Sequence, residues 1–386
     1  MNTYARQDVT FERGDGVYLW DTEGNQYIDA LSGIAVCALG HSHPDITKAI
    51  TEQASQLIHT SNIYRIRSQE LLADKLAEIS GMDNVFFGNS GAEANEAAIK
   101  LARLFGHNKG IQAPEIIVTD KSFHGRTLAT LSATGNRAIH AGFEPLVHGF
   151  IRVPYNDIET IKQVASRSKN VAAILVEPIQ GESGINIPDD NYLNEIRSVC
   201  DQNDWLMMLD EIQTGMCRTG QWFSHQHNKI TPDVMTLAKS LGNGLPIGAC
   251  LAHGKAASLF QPGNHGSTYG GNPLACHVAS QVITTLENLN TNQHVEKMGE
   301  YFLNELNKHL GDYDNVIDIR GSGLMLAIEL DRPCTKLVAA GIENGILINV
   351  ASQNRIRLLP PLIISKTQID EVISKLVPLI SRFLLD

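Results

Sequence analysis

A lysine and an aspartate, each at the end of an apolar run, are the residues of this sequence best placed to do chemistry together. Lys239 follows the run Val234–Leu237, and beyond it Gly242, Gly244, Pro246 and Gly248 forbid a regular helix and shape a tight turn. A lysine at a strand end ordinarily points to water, because lysine is rarely buried. Asp210 changes that expectation. It ends the apolar run 205–209 and opens Asp210-Glu211-Ile212-Gln213-Thr214-Gly215. A carboxylate at the C-terminal end of a strand stands where open α/β sheets bind ligands. A desolvated lysine forms a Schiff base with an aldehyde, and a carboxylate can partner a pyridinium nitrogen. The pair suits pyridoxal phosphate.

Other stretches carry chemistry of their own. Val85-Phe86-Phe87 reads as a short strand, and Gly88-Asn89-Ser90-Gly91-Ala92-Glu93-Ala94-Asn95 opens an alanine-rich helix that runs to Arg103. The free N–H groups of that first turn, with small Gly91 and Ala92 beside them, make an anion site for a phosphate. The same letters also describe an ordinary capped helix, with Ser90 as cap and Glu93 completing a capping box. The pattern is neither GxGxxG nor Walker A, so nucleotide binding and a dehydrogenase are disfavoured. In Lys121-Ser122-Phe123-His124-Gly125-Arg126-Thr127, Phe123 and His124 either cover an aromatic ring or pack within a loop. Arg126 either holds a carboxylate or forms a surface ion pair worth little. Glu182 is a lone carboxylate in the glycine-containing loop 178–184, and Ser267 and Thr268 are adjacent hydroxyls in the glycine-rich loop 265–274. Arg357 lies among apolar neighbours and two prolines; a buried guanidinium needs an anion, supplied by a structural salt bridge or by a substrate. His41 and His43 are two apart with no third ligand at metal spacing, which makes them a helix-entry turn and not a metal site.

The elements that position these residues alternate strand and helix from about residue 83 to 255, which argues for a mainly parallel sheet with helices on both faces. The expected strands include 115–119, 171–177, 205–209, 234–237 and 247–252. Strands 16–20 and 26–29 flank a turn at Asp21–Gly24, helices cover 44–57 and 68–79, the latter capped by Ser68, and 31–40 is a small-residue stretch that could line a pocket. Beyond Asn315, short strands at 316–329, 346–349 and 355–358 mark a smaller α+β unit. The expected division is a large domain over 45–290 and a small domain combining 1–44 with 291–386.

The chain of 386 residues is long enough for two such cores, and 43% hydrophobic with 19% charged residues fits a folded, soluble protein. A net charge of −11 with no basic stripe argues against nucleic acid. Six scattered cysteines without a CxxC read as reduced thiols in a cytoplasmic protein. The opening residues are polar, so no signal peptide is expected, and no apolar run approaches the ~20 residues of a membrane span.

Taken in order, Trp20–Gly24, 88–95, 123–127, Asp210-Glu211-Ile212-Gln213, Ala238-Lys239 and 266–273 resemble the class III aminotransferases over nearly the whole chain. The resemblance implies fold type I, pyridoxal 5'-phosphate as cofactor, and a homodimer with composite sites. It implies that Lys239 carries the cofactor, Asp210 partners the pyridine nitrogen, Gln213 lies near the phenolic oxygen and Phe123 stacks on the ring. By the same resemblance Gly91 and Ala92 are expected to bind phosphate, with Thr268 reaching it from the neighbouring subunit. Arg126 and Ser267 contact substrate, Arg357 clamps the α-carboxylate of glutamate, and Glu182 gates it. Where family members acting on ornithine usually carry a tyrosine, this chain has Ile34, which suits a donor whose α-amine is acylated. The expected reaction moves the δ-amino group of N2-acetyl-L-ornithine to 2-oxoglutarate, in arginine biosynthesis. Succinylornithine, ornithine, N-succinyl-diaminopimelate or 4-aminobutyrate as donor, or an aminomutase outcome, are the alternatives.

Overall fold

The computed structural model describes residues 1–385. At its centre is a seven-stranded sheet in the order Asn84–Gly88, Gly248–Ala252, Val234–Leu237, Leu206–Asp210, Val171–Val176, Glu115–Thr119, Phe150–Val153. Gly248–Ala252 runs antiparallel to both neighbours, and the other pairings are parallel. Every residue of Val171–Val176, Leu206–Asp210 and Val234–Leu237 is buried, the expected state of strands covered by helices on both faces. The pairing brings Asp210 opposite Thr236, so Lys239 leaves the sheet beside the carboxylate. The loops after Glu115–Thr119 and Val171–Val176 leave from the same edge, where parallel sheets gather ligands.

Two four-stranded sheets flank this one. The first joins Phe11–Asp15, Tyr18–Asp21 and Gln26–Asp29 to Ile346–Leu347, the last pairing being parallel. The N-terminal segment is thus completed by residues more than 300 positions away, opposite Ile28 and Asp29. The second is antiparallel, in the order Val316–Ser322, Met325–Leu330, Arg355–Leu358, Asn349–Ala351.

Four local expectations are corrected. The N-terminal antiparallel element contains an additional strand, Phe11–Asp15, paired with Tyr18–Asp21. The segment 316–329 is a hairpin and not one strand, because Gly323 turns the chain at φ +55°. The helix Arg67–Ser80 starts after Ile66 with no side-chain cap, so Ser68 sits inside its first turn. Ser90 does cap Gly91–Asn108, accepting Glu93 N–H at 3.2 Å. The Glu93 carboxylate accepts from Asn89 N–H, one residue before the position a reciprocal box requires.

Between the first sheet and the helix Pro44–Gln56 lies a turn against the usual handedness. Ser32, Gly33, Ile34 and Ala35 all have positive φ, of 48°, 66°, 66° and 59°. Left-handed backbone costs roughly 1–2 kcal/mol per non-glycine residue, and side-chain bonds join the local backbone ones to Leu31 O and Ser32 O in holding it. Asp29 Oδ1 accepts the N–H groups of Leu31 and Ser32, Ser32 Oγ donates to Leu359 O at 2.6 Å, and Ser240 Oγ donates to Ala35 O at 2.9 Å. Ser240 follows Lys239, so this turn is tied directly to the lysine's own loop.

The two histidines of the next turn are structural. His43 Nδ1 accepts Asp45 N–H at the helix start, and His41 Nε2 lies 2.8 Å from the buried Asp29 Oδ2. No group of three or more potential metal ligands occurs among the described residues. Burial alone would push the His41 imidazole down; its contacts with Asp29 and Cys37 outweigh that and raise it from 6.5 to about 9. A raised folded pKa gives stability that is fully present below the unfolded value and is lost as pH rises through the folded one. Wild type should therefore lose thermal stability between about pH 6.5 and 9 relative to Asp29→Asn. Parallel melting curves across that window would dismiss the ion pair.

Candidate active site

A cavity of about 410 Å³ opens at the C-terminal edge of the central sheet. Lys239, Asp210, Gln213, Phe123, Gly91, Ala92, Arg126 and Glu182 all line it. Arg357 lies just behind Glu182. Ser267 and Thr268 do not line it: Thr268 is exposed, and Ser267 Oγ accepts Gly270 N–H and receives Asn89 Nδ2, itself a wall residue. Of the segment 31–40, Val36 forms a wall, whereas Ile34 packs on the cluster of Ile179, Ile185, Met325 and Leu359.

Asp210 is only 4% exposed, so its charge needs partners. Oδ2 accepts Asn95 Nδ2 at 2.8 Å and lies 2.8 Å from His124 Nδ1, while Oδ1 accepts Ile212 N–H at 3.1 Å. Asn95 is locked in turn: it donates to His124 O and accepts Thr236 Oγ1, each at 2.8 Å. The sequence reading offered His124 as a ring cover or as loop packing. Its side chain is fully buried with Nδ1 committed to the carboxylate, and both it and Phe123 border the cavity.

Lys239 stands opposite, at the start of the short 3₁₀ turn Lys239–Leu241, with φ +46°. Such a backbone in a non-glycine residue costs energy and is met most often at functional sites. Burial first, and then the nearby Arg357 guanidinium, lower its amine from 10.5 to about 8. An amine so shifted keeps far more of its neutral, nucleophilic form near neutrality than an ordinary lysine does.

The helix Gly91–Asn108 points its N-terminus into the cavity. The N–H groups of its first turn lack intrahelical partners and carry the positive end of the dipole. A Cβ on Gly91 would lie 2.6 Å from Ile212 Cδ1, so the close approach of these two loops requires glycine there. Gln213 is 7% exposed, and its Oε1 is buried without a hydrogen-bond partner. An orphaned amide of this kind signals a missing polar ligand.

Glu177 was absent from the sequence-derived set, as was Asn95 in any role. Glu177 is 6% exposed, accepts Phe123 N–H at 2.8 Å and Gly181 N–H at 3.1 Å, and thereby ties the two flanking loops together. Its carboxyl is pushed up to about 7, by burial first and by Asp210, with His124 opposing. An amide in an alanine-rich helix and a glutamate closing an apolar strand were the available signals. Both are poor choices for those places unless something buried needs them.

The last part of the site is an ion pair. Arg357 is 1% exposed and its Nη1 lies 3.0 Å from Glu182 Oε2, whose side chain is 48% exposed. A nucleophilic lysine, a caged carboxylate, an anion-attracting helix end and an orphaned amide share one cavity. The residues present fit pyridoxal phosphate.

Comparison with known proteins agrees with this chemistry. The family model described as aminotransferase class-III matches residues 2–380. The acetylornithine aminotransferase of Nitrosomonas europaea is 55% identical over 384 residues, which are 100% of this chain and 98% of that protein. A crystal structure of the acetylornithine aminotransferase from Elizabethkingia anophelis superposes with a TM-score of 0.90 at 38% identity, covering 99% of this chain and 96% of that one. The ornithine aminotransferase from Toxoplasma gondii gives a TM-score of 0.93 at 34% identity, covering 98% and 92%. The chain belongs to the class III aminotransferases, enzymes of fold type I that depend on pyridoxal 5'-phosphate.

Proposed function

We propose that this enzyme moves the δ-amino group of N2-acetyl-L-ornithine to 2-oxoglutarate by a reversible ping-pong route, giving N-acetylglutamate 5-semialdehyde and glutamate. The observation that carries this reading is the convergence of Lys239, Asp210 and the Glu182–Arg357 pair on one cavity. The likeness to the Nitrosomonas europaea protein supports the donor, and with it a place in arginine biosynthesis in the cytoplasm. No helix among the described residues is long and apolar enough to cross a membrane. Free ornithine is the second donor to test, on the likeness to the Toxoplasma gondii structure.

Pyridoxal phosphate supplies an electron sink for the carbon that loses its proton. The protein's residues do the rest. Asp210, held by Asn95 and His124, would keep a proton on the ring nitrogen, because an opposite charge at contact would raise that nitrogen's pKa. Gln213 addresses the phenolic oxygen and Phe123 covers the ring. Gly91 and Ala92 hold the phosphate with their N–H groups. Lys239 is the residue that would hold the cofactor's aldehyde carbon, and its amine, when free, would carry the substrate's proton as base and then acid. Arg126 and Ser267 contact substrate. Glu182 neutralises Arg357 while the acylated donor is bound and withdraws for the α-carboxylate of glutamate.

The phosphate site is completed by a second copy in this reading. Thr268 is exposed on a loop that Asn62 and Gln69 tie, through Ser267 O, Gly270 O and Gly271 O, to the segment 57–71. Ile58, Ile63, Tyr64 and Tyr269 lie exposed on this region, at 55%, 80%, 66% and 64%. An apolar surface of this extent is a candidate subunit interface. A homodimer would bring the partner subunit's Thr268 to the cavity. The domain division follows the same reading: 45–290 as the cofactor-binding body, and 1–44 with 291–386 as the smaller one.

The visible spectrum of the purified protein gives the direct test. N-acetylornithine without keto acid should bleach the cofactor's band, and 2-oxoglutarate should restore it. Bleaching by ornithine or 4-aminobutyrate alone would move the donor assignment. Arg357→Ala should weaken the glutamate half-reaction by about 2–5 kcal/mol and spare the acylated donor; equal losses in both would refute the gate. Cofactor capture by the stripped protein should rise with pH to a half-maximum near 8, the value at which Lys239 loses its proton. Because Arg357 holds that value down, Arg357→Ala should shift the midpoint upward. A midpoint that stays near 10 in wild type would contradict the burial argument.

A further inference from the structure

The sheet that carries Arg357 treats its arginines in two ways. Arg355 and Arg357 are two apart on Arg355–Leu358 and project from the same face. Arg355 Nε lies 3.0 Å from Glu329 Oε2, and Arg320 Nη1 lies 2.8 Å from that same oxygen, so both cations have a fixed carboxylate. Arg357 has none fixed inside its sheet. Its cross-strand partner is Asn349, whose Oδ1 accepts from Nε at 2.9 Å and from Nη2 at 2.6 Å. Gly181 O accepts from Nη1 at 3.0 Å, and Glu182 Oε2 takes Nη1 as well.

A guanidinium has five N–H groups. Asn349 takes two here, Gly181 one and Glu182 one, which leaves a single Nη2–H. Three bonds therefore come from neutral oxygens, and Glu182 holds the cation through one oxygen only. An arriving carboxylate can use the N–H that Glu182 gives up together with the one left over, forming the two-bond contact that Arg and carboxylate favour. Departure of Glu182 leaves the guanidinium aimed, because Asn349 and Gly181 still grip it.

We propose that Asn349 is the positioning residue that fixes Arg357 without neutralising it, and that this neutrality is what lets the same cavity accept a dicarboxylate. The inference rests on the reading of Arg357 as the carboxylate clamp. An aspartate at 349 would be isosteric, would make the same two contacts, and would cancel the charge permanently, as Glu329 does for its neighbours. Alanine would release the grip and leave the charge.

The order of the two variants decides the matter. In holoenzyme, Asn349→Asp should weaken calorimetric binding of glutarate, a dicarboxylate that cannot react, by about 10- to 100-fold. It should weaken the 2-oxoglutarate half-reaction equally and keep the N-acetylornithine half-reaction within about threefold. Asn349→Ala should weaken glutarate less than Asn349→Asp does, although it removes more atoms. A merely structural role gives the opposite order, since the isostere packs better. Alanine as damaging as aspartate, or equal losses in both half-reactions of Asn349→Asp, would overturn the proposal. If Asn349→Asp does not fold, Asn349→Ala alone decides: glutarate binding retained above that of Arg357→Ala supports it, and loss equal to Arg357→Ala defeats it. Should Arg357→Ala harm both half-reactions alike, the clamp reading fails; a selective Arg357→Ala with a silent Asn349→Asp removes only the role of Asn349.

Discussion

A buried negative charge organises this molecule. Asp210 closes the strand Leu206–Asp210 with its carboxylate almost wholly out of water. Without partners, its burial would carry a large desolvation cost. The structure instead surrounds it with Asn95 from the helix Gly91–Asn108, His124 from the loop after Glu115–Thr119, and the N–H of Ile212. Each partner arrives on a different element, so keeping one charge fixes the relative placement of a helix, a loop and two strands. Asn95 is bound in turn to Thr236 on the neighbouring strand that leads to Lys239. The aspartate and the lysine are therefore held by a common set of bonds as well as by adjacent strands.

The opposite charge is handled differently. Arg357 is as deeply buried as Asp210, yet its one carboxylate partner stands half in solvent on a loop. Gly181 connects the two regions. Its N–H goes to Glu177, its carbonyl to Arg357, and a Cβ on it would lie 2.0 Å from Gln213 Oε1. Three parts of the site meet at one peptide with no room for a side chain. The negative centre is rigidly caged, whereas the positive centre keeps one movable ligand, and this asymmetry suits a cavity that must serve two substrates in turn.

Much of this was legible in the sequence, for a physical reason. Strands buried on both faces are continuous apolar runs, so 115–119 and 234–237 were read with their observed limits. Lys239 and Asp210 stood out because charged residues at the ends of such runs conflict with their surroundings. Residues that satisfy a buried group were harder to see. Asn95 sits in a helix whose composition already explained itself, and Glu177 looked like the end of a strand. His124 has the right chemistry for a ring cover, and only the folded loop shows that its Nδ1 is committed to Asp210. Thr268 and Ser267 do not reach the cavity of their own chain, a distinction that one sequence does not encode. The pairing of Ile346–Leu347 with the N-terminal strand joins residues too far apart for any local pattern to reveal.

The turn at Ser32–Ala35 carries a consequence for how the pocket comes into being. The four consecutive left-handed residues are held in part locally, by backbone bonds to Leu31 O and Ser32 O and by Asp29, and in part from afar, by Ser240 and the carbonyl of Leu359. Those residues belong to the beginning, the middle and the end of the chain. The wall that Val36 contributes therefore depends on the finished tertiary structure as well as on its own sequence. Substrate fit in this enzyme is a property of the whole polypeptide, closed only when its two ends have met.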